Sequence, residues 1–393
     1  MKTIRLTPKS QRKRGVSHPW VFAGEVNGDL PNECDGDSVL CRDAKGKLLG
    51  SGLFNSRSQL VWRRFSQGRQ EFDRTFLKTQ IMSALELRKT VYGGRLPEAA
   101  RLVWSDSDNL PGLIVDRYGD TLAVQTVTLG MDRWLNEIAT ILGEQLSPKC
   151  IIARNDAPVR RKEGLPLEVT ILLPGSGTHL EIGTWISVGE IELWVDCKGG
   201  QKTGLYLDQL AQYGKVANLA SGKSVLDTFC NEGGFGLACM KAGAADVTSV
   251  DSSGPALASA SKNAERNGVA LNLVEDNVFD FFSNHKKSSW DVIVLDPPPF
   301  APNRKSLPGA LRGYKELNLR AMQALGNDGI LATYTCSHHV DHDTFQSMLT
   351  HAAADAGVQV RLIEMCSQPL DHPVILGFPE SEYLRGCILE IKR

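Results

Sequence analysis

No run of 18 or more apolar residues occurs in the chain, so no membrane-spanning helix is expected. The opening residues, Met1-Lys2-Thr3-Ile4-Arg5, lack the apolar core of a signal peptide. A cytoplasmic protein with no membrane partner is the expectation. The nine cysteines, at positions 34, 41, 150, 197, 230, 239, 336, 366 and 387, include no Cys-x-x-Cys pair. Zinc-ribbon spacing is thereby excluded, and no metal is expected. An odd count without metal spacing reads as free thiols in a reducing compartment, most of them small buried hydrophobes. Internal repeats and low-complexity tracts are also missing.

What is present describes a globular chain. Of 393 residues, 42% are hydrophobic and 23% charged, which suits a soluble protein of two or three domains. The net charge of −1 is unevenly spread. Residues 1–74 carry 14 Lys and Arg against 8 Asp and Glu, a net of +6, and the remainder carries 30 against 37, a net of −7. A basic N-terminal module on an acidic body is either a surface that meets a polyanion or a solvated face.

Short strand-like runs broken by Gly, Asp and Asn fill the first 72 residues, with a hairpin connection at Asp43-Ala44-Lys45-Gly46-Lys47. They predict a small β-barrel over 1–72. Arg12, Lys13, Arg14, His18 and Trp20 set cations beside an aromatic, a make-up suited to RNA. The alternative is that Trp20 and Phe22 fill the barrel. Residues 73–190 read as an α+β domain: a helix with apolar positions at Phe76, Leu77, Ile81 and Leu85, hairpin strands between 101 and 126, a helix over 131–146 and a strand over 150–154. Arg154, Arg160, Arg161 and Lys162 form a second basic cluster, facing the same polyanion or lying in a plain exposed loop.

From 191 to 393, strands and helices alternate, which predicts an α/β domain built on a parallel sheet. Strands are expected at 224–227, 247–251, 271–274, 290–295, 330–334 and 358–363. Helices are expected near 206–218, 236–242, 255–267, 314–325 and 341–356. A last strand over 386–391 is expected to close the sheet edge.

The chemistry-bearing residues sit at the strand ends, where open α/β sheets bind ligands. Asp227 closes the first strand before a turn, Phe229-Cys230-Asn231-Glu232-Gly233-Gly234, whose glycines let backbone approach a ligand. Asp251 closes the next strand, placed for ribose hydroxyls, and Asp276-Asn277 closes the third, where an adenine edge would lie. The turn is not G-x-G-x-x-G, and the acidic Asp227 and Glu232 disfavour a pyrophosphate. They suit the cationic sulfonium and ammonium of S-adenosylmethionine.

Asp296-Pro297-Pro298-Pro299-Phe300 ends the fourth strand and Thr335-Cys336-Ser337 the fifth. Prolines stiffen the first loop, so Asp296 can engage the N3/N4 edge of cytosine. Cys336 is the candidate nucleophile for C6 of the ring, a role that needs positive charge or dipoles to favour the thiolate. Lys305, Arg312, Lys315, His338 and His339 are candidate sources. The alternative is one more inert core cysteine.

The chain resembles the bacterial 23S ribosomal RNA cytosine-5 methyltransferases of the RlmI type along almost its whole length. The resemblance rests on His18-Pro19-Trp20-Val21-Phe22, Asp108-Asn109-Leu110-Pro111-Gly112, Arg161-Lys162-Glu163-Gly164, Lys202-Thr203-Gly204-Leu205-Tyr206-Leu207-Asp208-Gln209, Gly233-Gly234-Phe235, Asp276-Asn277, Asp296-Pro297-Pro298, Arg312-Gly313-Tyr314-Lys315, Cys336-Ser337 and Asp371-His372-Pro373-Val374. It implies an N-terminal PUA-like RNA-binding domain, a central α+β domain and a C-terminal Rossmann-like class I methyltransferase domain. It further implies that Lys202, Thr203, Tyr206, Asp208, Asp227, Asp251 and Asp276 line the S-adenosyl-L-methionine site, that Cys336 is the nucleophile and that Asp296 engages the base. The implied partner is RNA, either 23S rRNA or a large-subunit precursor, and the implied assembly is a homodimer. Several features depart from the pattern. Pro299 stands where the family usually carries Lys, the loop lacks the second Cys that many other RNA cytosine-5 methyltransferases use to release product, and Thr335 and His338 differ from the family pattern, which leaves the exact target open. Two further readings compete: methylation of an exocyclic amine on guanine or adenine, and a non-catalytic RNA-binding assembly factor.

Overall fold

The computed structural model describes residues 1–8, 10, 18–173, 183–285, 289–301 and 304–393. The chain forms two compact units, and each is assembled from separate stretches of sequence. The first unit takes Met1–Ile186, Val195–Leu207 and Leu370–Ser381. The second takes Ser187–Trp194, Asp208–Pro369 and Glu382–Arg393.

In the first unit, β1 (Thr3–Arg5), β2 (Trp20–Val21), β3 (Ser38–Arg42), β4 (Leu48–Phe54) and β5 (Trp62–Ser66) make a five-stranded sheet of order β1-β3-β4-β5-β2. Its core gathers Val39, Cys41, Phe54, Val61 and Trp62. The Trp62 indole N–H is satisfied by the Val39 carbonyl at 2.9 Å, so the ring is buried without an orphaned donor. The β3–β4 hairpin turns where expected. Asp43 Oδ1 accepts from the Lys45 and Lys47 amides at 2.8 Å each, and Gly46 takes the positive φ of 91°.

Next come α1 (Arg74–Val91), β6 (Ala99–Trp104), β7 (Leu113–Tyr118), β8 (Thr121–Thr126), α2 (Leu129–Asp132), α3 (Leu135–Leu146), β9 (Cys150–Asn155) and β10 (Glu168–Leu173). Their sheet runs β10-β9-β8-β7-β6. Asp73 caps α1 by accepting from the Phe76 amide at 2.8 Å. The helix read at 131–146 is two helices, because the chain breaks at Arg133-Trp134. A two-stranded ribbon, β11 (Gly183–Val188) with β12 (Ile191–Asp196), follows.

The second unit contains α4 (Leu210–Ala217), β13 (Ser224–Thr228), α5 (Gly234–Lys241), β14 (Asp246–Asp251), α6 (Gly254–Asn267), β15 (Asn272–Glu275), α7 (Val278–Asn284), β16 (Trp290–Leu295), α8 (Leu307–Ala324), β17 (Leu325–Thr335), α9 (His342–Ala356), β18 (Gln359–Ser367) and β19 (Arg385–Lys392). The sheet order is β15-β14-β13-β16-β17-β19-β18. The first five strands are parallel, and β19 is antiparallel to both β17 and β18. The last strand is therefore not the sheet edge that the sequence suggested. It is inserted between β17 and β18, with six of its eight residues buried, and the mostly exposed β18 takes the edge. Strand order reverses at β13, with β14 on one side and β16 on the other. This is the switch point at which such sheets open a crevice.

Candidate functional site

The turn after β13 is built by strained backbone and close packing. Phe229 (φ 55°) and Asn231 (φ 47°) adopt left-handed conformations, and Gly233 (φ 80°) caps α5. A Cβ on Gly234 would lie 2.4 Å from the Tyr213 ring, and one on Gly236 would lie 2.8 Å from Ser249 Oγ. Glycine is required at both positions, because α5 must approach α4 and β14 this closely for its N-terminus to face the crevice.

The strand-end carboxylates fix the loops around them. Asp227 Oδ2 accepts from the Gly236 amide at 3.0 Å. Asp251 uses both oxygens, accepting from the Asn231 and Ser253 amides at 2.9 Å each. Asp276 accepts from the Asn277 amide at 2.7 Å, and Asn277 caps α7 through the Phe279 amide at 2.9 Å. The side chains of Asp251 and Asp276 are half-buried and Asn277 is exposed, so all three keep a face toward solvent.

Asp227 differs. It is fully buried, and its Oδ1 has no hydrogen-bond partner among the described residues. Burial raises its pKa from 3.8 to about 7, and the nearby carboxylates of Asp296 and Asp251 push the same way. The buried Tyr213 hydroxyl is pushed up first by burial and then by Asp296, Glu232, Asp227 and Asp208. Four carboxyls thus act electrostatically on one phenol beside a glycine turn. Such a site repels a pyrophosphate and favours a ligand carrying positive charge. The sulfonium and ammonium of S-adenosylmethionine fit this donor set, and Asp227 Oδ1 is a buried acceptor left for such a ligand to engage.

The two catalytic candidates leave the same edge. β16 and β17 are parallel neighbours, with Leu295 opposite Thr333. Asp296 directly follows the C-terminal end of β16, and Cys336 directly follows that of β17. Tyr314 of α8 ties the two loops together. Its hydroxyl accepts from the Phe300 amide at 3.2 Å and pairs with Ser337 Oγ at 2.8 Å, while the Ala301 amide also donates to Ser337 Oγ at 3.4 Å. The Phe300 ring packs on Tyr314, with centroids 4.7 Å apart, and so turns toward the core. Asp296 is half-buried and Pro297 buried.

Exposure singles out one thiol. Cys336 is half-exposed and the other eight cysteines are buried. Burial pushes Cys41, Cys197, Cys239 and Cys387 up to about 12, and Cys366 to about 11. Cys34, Cys150 and Cys230 move the same way for the same reason. These are inert core thiols.

Asp208 is also in the second unit, where its Oδ2 accepts from Tyr383 at 2.8 Å. Lys202, Thr203 and Tyr206 belong to the first unit. There Thr203 is buried, its hydroxyl donating to Asp116 at 2.6 Å and meeting Tyr118 at 2.9 Å. The exposed Lys202 lies 4.2 Å from the Tyr206 ring centroid, and the Tyr206 hydroxyl bonds to Gln201.

The basic candidates divide. Arg12, Lys13 and Arg14 lie outside the described residues. His18 contacts Glu380 at 3.2 Å, and Trp20 donates to Asp106 at 2.9 Å; both rings pack edge-on against Phe378. Arg161, Lys162, Lys305 and Arg312 are exposed, and Lys315 pairs with Asp355 at 2.6 Å. Arg154 and Arg160 are buried, which corrects their reading as an exposed cluster. Arg154 is held by Asp156 and the Cys197 and Gly200 carbonyls, and Arg160 by Asp132 at 2.7 Å and the Pro166 carbonyl at 2.9 Å. The sequence reading did not single out Tyr213, Tyr314 or Tyr383. Of these, only Tyr314 lay within a quoted motif, Arg312-Gly313-Tyr314-Lys315.

A PUA-like domain family model matches residues 4–67, and an S-adenosylmethionine-dependent methyltransferase family model matches residues 174–375. Ribosomal RNA large subunit methyltransferase I of Shewanella amazonensis is 38% identical, covering 99% of both chains. The protein of that name from Aeromonas hydrophila is 37% identical over 95% of this chain and 96% of its own. A solved structure from Streptococcus mutans, described as a SAM-dependent methyltransferase, shares the fold with a TM-score of 0.83 at 20% identity, covering 99% of this chain and 100% of that one.

Proposed function

From a chain that belongs to the S-adenosylmethionine-dependent methyltransferases, in the family of ribosomal RNA large subunit methyltransferase I, we propose an enzyme that forms 5-methylcytosine in large-subunit ribosomal RNA. The observation that carries the reading is Cys336, the half-exposed thiol that follows β17, whose parallel neighbour β16 leads into Asp296. Bound S-adenosylmethionine supplies an electrophilic methyl group. The chain's own residues do the rest. Asp227, Glu232 and Asp208 hold the positive end of the cofactor, Asp251 its ribose, and Asp276 with Asn277 its adenine edge. Phe229, Gly233, Gly234 and Pro297 shape the cleft.

The target cytosine leaves its stack to enter the crevice. Asp296 hydrogen-bonds to its N3/N4 edge. The Cys336 thiolate adds to C6, and the C5=C6 electron pair is released to C5, which takes the methyl group. Removal of the C5 proton then reforms C5=C6 and expels the thiolate. A thiol suits both addition and departure.

The basic residues Arg12, Lys13, Arg14, His18, Arg161, Lys162, Lys305, Arg312 and Lys315, with the aromatic Trp20, form the proposed RNA-facing set. The enzyme acts in the cytoplasm, as a homodimer. The exposed Leu362, Ile363 and Met365 on the edge strand β18 support self-association, and sedimentation tests it.

The test is methyl transfer from labelled cofactor to 23S rRNA lacking its native methylation, followed by nucleoside identification. Labelled 5-methylcytidine is expected. Methylated guanosine or adenosine supports exocyclic-amine chemistry instead. No transfer, with cofactor and RNA both bound, supports an assembly factor.

A further inference from the structure

The addition mechanism leaves one proton without a named acceptor, the hydrogen on C5 of the methylated adduct. Many other RNA cytosine-5 methyltransferases meet the product-release step with a second cysteine. Here the eight remaining thiols are buried, and desolvation raises the pKa of each, so they are unsuited to the step.

A different group follows Cys336 in the chain. His338 is exposed two residues further along the same loop, and its ring packs on Tyr383 with centroids 5.6 Å apart. Tyr383 is itself fixed: it is buried, its hydroxyl donates to the buried Asp208 at 2.8 Å, and its amide donates to Gln368 at 3.0 Å. A phenol held at both ends gives the imidazole a rigid wall. Tyr314 bridges the two loops, and His342 is paired with Glu382 at 2.8 Å. Asp296 is assigned to the base edge, and Lys305 and Arg312 are cations.

Resting on the cytosine-5 reading, we propose that His338 is the base that takes the C5 proton, with Tyr383 and Asp208 as positioning residues. In this step the C5–H bond breaks and the imidazole takes the proton. The C–H electron pair becomes the C5=C6 bond, the C6–S bond breaks, and Cys336 leaves as thiolate. No oxidant or further reactant is needed.

The test is His338→Gln in the full-length enzyme, with S-adenosylmethionine and unmethylated 23S rRNA. A general base contributes about 100-fold or more. Addition and methyl transfer should proceed while release slows by about that factor, so a methylated protein–RNA adduct accumulates on a denaturing gel. Tyr383→Phe, which keeps the ring and loses the bond to Asp208, should show a smaller accumulation. Product release at the wild-type rate with no adduct overturns the proposal. Accumulation with His339→Gln but not with His338→Gln also overturns it. Failure of the underlying reading looks different, because the wild-type enzyme then forms no adduct even with RNA carrying 5-fluorocytidine.

Discussion

Replacing Asp227 with Asn removes the charge that the protein is least able to solvate. The carboxyl is fully buried, one oxygen has no partner among the described residues, and its pKa is raised from 3.8 to about 7. A folded-state pKa above the unfolded value means that the folded state holds the proton more tightly. The carboxyl costs nothing below about pH 4, where both states are protonated, and stability falls as pH rises toward 7. The difference between the two pKa values corresponds to about 4 kcal/mol at and above pH 7. Asn has the same shape and no charge to bury. Without cofactor, Asp227→Asn should therefore resist urea better than the wild type at pH 8, and the advantage should shrink markedly at pH 5. Cofactor binding should move the opposite way, because the variant loses a negative partner for the sulfonium and ammonium. Paired urea melts at the two pH values, with calorimetric titration of S-adenosylmethionine, check both effects. A variant less stable by the same amount at both pH values, with unchanged cofactor affinity, refutes the reasoning.

Other positions give sharper local tests. Gly234→Ala puts a methyl group 2.4 Å from the Tyr213 ring; about 1–3 kcal/mol of stability should be lost, with cofactor affinity reduced in titration. Tyr314→Phe removes the hydroxyl that joins Phe300 to Ser337. Single-turnover kinetics should show slower methyl transfer, with S-adenosylmethionine affinity retained. Arg101→Met strips the bidentate partner, at 2.8 Å on both oxygens, from the buried Asp116. Chemical denaturation should report a loss of about 3–5 kcal/mol.

The second unit was more legible than the first because its central strands β13, β16 and β17 are buried on both faces and lead into polar residues. Val225-Leu226-Asp227 and Val292-Ile293-Val294-Leu295-Asp296 are apolar runs closed by a carboxylate, so strand and site were read together. Helix α7 was missed. It is only seven residues long, and Val278-Phe279-Asp280-Phe281-Phe282 is too short to establish a helical period. Asn277, which caps it, was the available signal. α8 starts at Leu307, seven residues before the expected start, with Pro308 in its first turn. The place of β19 was not legible, since pairing order depends on contacts distant in sequence. Its burial, set against the exposed β18, explains the outcome. Buried arginines were misread for a related reason. Arg154 and Arg160 look like surface charge until Asp156 and Asp132 are seen beside them.

The most direct measurement uses 23S rRNA containing 5-fluorocytidine, with S-adenosylmethionine and the intact enzyme. Fluorine replaces the proton that must leave C5, so the final elimination is blocked. Mass spectrometry of the digested complex should then find methylated RNA attached to the peptide carrying Cys336, and no attachment in Cys336→Ala. Methyl transfer to cytosine without any attachment at Cys336, or undiminished transfer by Cys336→Ala on ordinary RNA, contradicts the account.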